Sequence, residues 1–116
     1  MRRLALLLIL SLAGCGSADK SDLAYAGQAR SLLAEAALIH ESAPRSSRTY
    51  SREMQSEVGE QLATLAAEAR ASGGPSGPAI AAIATLPESS GPALLNQRAA
   101  QAQAIAQRIE DRLESR

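Results

Sequence analysis

The sequence predicts an all-α protein, and three observations carry that expectation. Alanine, the strongest helix former, supplies 25 of the 116 residues, against one valine and three threonines. Valine, threonine and aromatic residues are too few to build a sheet. Apolar residues recur at alternating spacings of three and four, the repeat of one helix face. Clusters of glycine and proline then cut the chain into segments of helical length.

The first helix is expected over residues 21–43. Ser21 or Asp19 is placed to cap it, and Asp22 would put negative charge in its first turn. Tyr25, Ala29, Leu32, Ala36 and Ile39 form a narrow stripe with Leu33 beside it. Pro44 stops the helix, because the residue before a proline disfavours the helical conformation. The short loop Pro44–Arg48 then returns the chain antiparallel.

The second helix is expected over residues 48–72, capped by Ser47 or Thr49. Tyr50, Met54, Val58, Leu62, Leu65 and Ala69 share its apolar face, and Gly73-Gly74-Pro75 ends it. Gly59 either weakens this helix or lets a neighbour approach closely. Gly77-Pro78 starts a short helix carrying Ile80, Ile83 and Leu86, which Pro87 closes. A third long helix follows Ser90-Gly91-Pro92, with Leu95, Ala102, Ile105, Ile109 and Leu113 on one stripe. The expected architecture is an antiparallel helical hairpin, a short helix and a third long helix, closing as a three-helix bundle. The alternative is an extended array whose last helix docks on a partner.

The amino-terminal stretch is of a different kind. Met1-Arg2-Arg3 is basic, and Leu4–Ala13 is apolar except for Ser11. Charge followed by an apolar run of this length is the layout of a secretory signal peptide. The run is about half of the roughly 20 residues that a membrane-spanning helix needs. Leu12-Ala13-Gly14-Cys15 then resembles the lipobox of bacterial lipoproteins, and Cys15 is the chain's single cysteine. The resemblance covers residues 1–15. It implies that residues 1–14 are a signal peptide, that Cys15 receives a diacylglycerol, and that its new amino group is acylated after cleavage. Two or three acyl chains anchor stably where one does not. The residue after the cysteine is Gly16 and not aspartate, which in this family implies the outer membrane, facing the periplasm. Gly16–Lys20 is expected to be a polar tether, leaving residues 21–116 as one small helical domain. The bland alternative is an ordinary secreted protein cut elsewhere.

The chain from Cys15 onward carries 12 − 2 = 10 basic residues against 12 acidic ones, because Arg2 and Arg3 are removed. A net charge of −2 with two tyrosines and no Phe or Trp gives no basic field or stacking platform for nucleic acid. One cysteine excludes an internal disulfide and a multi-thiolate metal site. Only 19 large apolar residues follow Cys15, so the core is thin. That predicts a protein partner or a homo-oligomer, with the membrane as the partner of the lipid.

Catalytic, cofactor-binding and metal-ligating residues are expected to be none. His40 is the only histidine, and positions three and four away are Ala36, Ala37, Ala43 and Pro44, so no second ligand stands on its helix face. Its expected role is at the helix end, beside the terminal carbonyls. No Gly-x-Ser-x-Gly elbow is present, and no Lys-Ser/Thr follows "GGPSG". Glu53, Glu57 and Glu60 read as a solvated face. Arg45, Arg48 and Arg52 cluster with Tyr50 at the hairpin tip, where guanidinium groups suit phosphate or carboxylate on an anionic partner. The expected function is a non-enzymatic envelope lipoprotein acting as scaffold or adaptor through its helices. The alternative is a binding module for a small ligand or envelope component, including one that senses stress.

Overall fold

A computed structural model describes the backbone of residues 2–87 and 90–115, and the side chains of residues 18–87 and 90–115. The protein is all-α, and no strand occurs among the described residues. Helix α1 spans Arg2–Ser42, α2 Arg48–Ala71, α3 Gly77–Ala84 and α4 Pro92–Glu114. A single 3-10 turn, Ala43–Arg45, joins α1 to α2, with Pro44 at its start as the sequence requires.

The helices run up, down, up and down. Asp22 of α1 bonds the backbone of Ser76, just past the end of α2, so the α1–α2 pair is antiparallel. On α4, Gln103 bonds Arg30 while Arg112 bonds Asp19, so α4 descends beside α1. Helix α1 packs most extensively on α4, then on α2, and α3 fits between α2, α1 and α4. The last helix therefore folds back onto the hairpin. The short α3 adds a fourth member to the expected three-helix bundle.

Helix α1 departs from expectation at its start. No cap forms at Asp19 or Ser21, because the helix runs on from Arg2 and includes Gly16–Lys20. The expected polar tether is helical. The reason lies in its side chains: Asp19 and Asp22 are buried against α3 and α4, so packing holds these residues in the helix.

The buried stripe of α1 is also rotated. Ala26, Ala29, Leu33, Ala36 and Ala37 are buried, whereas Tyr25, Leu32 and Ile39 flank the core. Alanines occupy the line of closest approach because α1 has helices on several sides and small side chains let them come near. On α2 the buried residues are Ser51, Val58, Leu62, Leu65, Ala66 and Ala69. Tyr50, expected on that face, is exposed. On α4 the expected Leu95, Ala102, Ile105 and Ile109 are buried, with Leu113 packed at the margin.

Ends and turns follow local chemistry. The Ser47 hydroxyl accepts from Tyr50 N at 3.1 Å and caps α2. Gly73 ends α2 with φ 74°, a left-handed conformation that a side chain would resist. Gly77 permits a close approach of two backbones: a Cβ there would fall on the carbonyl oxygen of Ala69. Gly59 has no such role, since a Cβ there would meet nothing. Arg98 of α4 donates to the carbonyls of Ala82 at 2.7 Å and of Ile83 and Thr85 at 3.3 Å. It thereby satisfies the free carbonyl end of α3 with a cation, as the helix dipole favours.

Candidate functional site

Three places concentrate polar chemistry. The first is the lower end of the bundle, where α1 meets the α2–α3 turn and the end of α4. Asp19 and Asp22, three residues apart, face inward there and are 2% and 0% exposed. Asp22 Oδ2 accepts from Ser76 N at 2.9 Å, so this carboxylate serves the amino end of α3 from another helix. Arg112 reaches Asp19 Oδ1 at 3.4 Å and Ser76 Oγ at 3.2 Å. Gly74 lies so near the Asp22 carboxylate that a Cβ on it would overlap both oxygens. The arrangement ties α1, α3 and α4 together, and its groups are directed at each other.

The second place is an open groove of about 1010 Å³ between α1 and α2. Leu32 and Leu65 contribute apolar surface, Glu57, Glu60 and Glu68 come from α2, and Arg30 comes from α1. Glu53, grouped with two of these glutamates in the sequence, does not line it. Among the described residues no group of three or more His, Cys, Asp and Glu is placed to hold a metal ion.

The third place is the hairpin tip. Helix α2 begins there, and Arg48, Ser51, Arg52 and Gln55 lie along one side of it at spacings of three, one and three. They line a cleft of about 600 Å³ with His40 from the end of α1 and Ser46 from the turn. No acidic residue lines it. Neither Arg48 nor Arg52 has a hydrogen bond or ion pair among the described residues. Ser51 is 7% exposed, and its buried hydroxyl has no hydrogen-bond partner among the described residues.

The expected tip cluster is thus brought together in part. Arg48 and Arg52 share the cleft, while Arg45 is exposed and outside its lining. Tyr50 lies outside as well. His40 makes no hydrogen bond to the helix-end carbonyls; the Ser42 hydroxyl donates to Ile39 O at 3.2 Å instead, and His40 borders the cleft. Cys15 lies outside the residues whose side chains are described. Sequence reasoning missed Ser51, whose spacing from Arg48 and Gln55 places it on the cleft side. It also missed the inward-facing Asp19–Asp22 pair.

Comparison with protein-family models, curated proteins and solved structures finds no match. Among the described residues no helix is long and apolar enough to cross a membrane.

Proposed function

We propose that the chain is a bacterial envelope lipoprotein, acylated on Cys15 and held in the outer membrane facing the periplasm. Its helical bundle is a non-enzymatic scaffold or adaptor. The observation that carries this reading is the order of basic start, short apolar run and Leu12-Ala13-Gly14-Cys15. The fold is compatible with it in a specific way. Helix α1 leads from this region into the bundle, and Ser42 lies 27 residues beyond Cys15, a rise of roughly 40 Å. A lipid at Cys15 would hold the bundle's lower end near the membrane and project the hairpin tip away from it.

The α1–α2 groove supports a partner role. It is open and lined by Leu32 and Leu65 with three glutamates from α2, which suits a helix bearing basic residues beside an apolar stripe. Neither tyrosine lines it, so it offers no aromatic wall to a small ligand.

Intact mass measurement on the protein extracted from bacterial membranes in neutral detergent tests the reading. The expected result is a chain starting at Cys15 and carrying the mass of two or three acyl chains, lost in Cys15→Ser. A mature chain that starts elsewhere, or an unmodified Cys15, would contradict it.

A further inference from the structure

We infer that the cleft at the hairpin tip is a binding site for a phosphate-type oxyanion, held by Arg48, Arg52 and Ser51 at the amino end of α2. Four features converge. Arg48 and Arg52 stand one helical turn apart on the side of α2 that lines the cleft, and neither is engaged by an acid. Guanidinium groups free of internal partners offer forked donors matched to phosphate oxygens. The cleft sits at the first turn of a 24-residue helix, whose amino end attracts anions through its dipole and free backbone donors. The charge is unopposed, since His40, Gln55 and Ser46 complete the polar lining without a carboxylate.

Ser51 adds a supporting feature. A buried hydroxyl with no partner is costly, and native proteins rarely keep one. The neighbouring turn has satisfied its own needs: Ser47 caps α2, and Ser51 N bonds Ser47 O at 3.0 Å. Ser51 borders the cleft with Arg48 and Arg52, and rotation about its Cα–Cβ bond would turn the hydroxyl from its buried position toward a bound oxyanion. Arg45 is excluded from the site because it does not line the cleft.

The site rests on the bundle alone and not on the proposed anchor. The full chain in neutral detergent micelles therefore tests it whether or not Cys15 is acylated. Calorimetric titration with inorganic phosphate and pyrophosphate forms one arm. Mixed micelles doped with phosphatidic acid form the other. Saturable binding is expected, weakened about tenfold or more by combining Arg48→Ala with Arg52→Ala, as for loss of charge-assisted bonds. Ser51→Ala is expected to weaken binding several-fold while leaving the unfolding midpoint unchanged or raised, because it deletes an unsatisfied group. Binding of the soluble anions with this pattern assigns the site to a free phosphate compound. Response to phosphatidic acid alone, with the same pattern, assigns it to a lipid headgroup. No binding in either arm, or binding indifferent to all three substitutions, would overturn the inference.

Discussion

The two ends of the bundle spend their polar residues in opposite ways. At the lower end Asp22 holds the backbone of Ser76 through one carboxylate oxygen, and Arg112 spans Asp19 and Ser76, so charged groups of α1 and α4 lock the start of α3 between them. At the upper end Arg45, Arg48 and Arg52 have no partners among the described residues, Ser51 is buried without one there, and Tyr50 and Leu38 are 56% and 64% exposed. The same residue types therefore do different work. Where polar groups find internal partners they position helices, and where they do not they remain free for something outside the chain.

The largest expected effect is at the lower end. Gly77→Ala would drive a methyl into the Ala69 carbonyl, which is backbone and cannot give way. A loss of about 3 kcal/mol is expected, at the upper part of the overpacking range, read as a lowered midpoint in thermal unfolding. Little change would mean that α3 can move off α2 and that the lower end is less rigid than described.

Arg98 sharpens the comparison with a cation that the fold does use. Its guanidinium serves three carbonyls at the end of α3, so Arg98→Ala should cost about 1–2 kcal/mol. The unpartnered Arg45, substituted in the same way, should cost less than about 0.5 kcal/mol, as is usual for exposed sites. Equal losses in denaturant titrations would erase the distinction. Two further effects have the opposite sign. Gly27 and Gly59 stand within helices, and a Cβ on either meets nothing. Each change to alanine should add about 0.5–1 kcal/mol, measured as a higher unfolding midpoint.

Much of this was legible in the sequence. Pro44, Gly73-Gly74-Pro75 and Pro92 mark the ends and starts of helices where the structure has them. The stripe of α4 is plain because its large residues are also its buried ones. Helix α1 is harder to read. Its large residues Tyr25, Leu32 and Ile39 flank the core, and apart from Leu33 its contact line is made of alanines that hydrophobicity alone ranks low. The polar continuation of that line was harder still. Asp19, Asp22, Ala26, Ala29 and Leu33 keep the three-four spacing without a break, so the pattern itself was present. Carboxylates at its start invite a cap or a tether, because nothing local reveals that Ser76 and Arg112 arrive from 54 and 93 residues away. At the tip, the arginines announced themselves by charge. Which of them share a cleft depends on the path of the 3-10 turn, and the buried Ser51 hydroxyl becomes conspicuous only once its surroundings are known.

The most direct test of the division between the two ends is thermal unfolding, followed by circular dichroism, of the full chain in neutral detergent. Asp22→Ala would be set beside the combined Arg48→Ala and Arg52→Ala variant. Asp22→Ala removes a charged acceptor from a part-buried backbone donor and should cost about 2 kcal/mol, a fall of roughly 8–16 °C for a domain of this size. The tip variant should unfold within about 2 °C of the parent, because exposed, unpartnered arginines add little to stability. A tip variant as unstable as Asp22→Ala would show that the upper arginines hold the fold together. The contrast between a locked end and a free end would then be wrong.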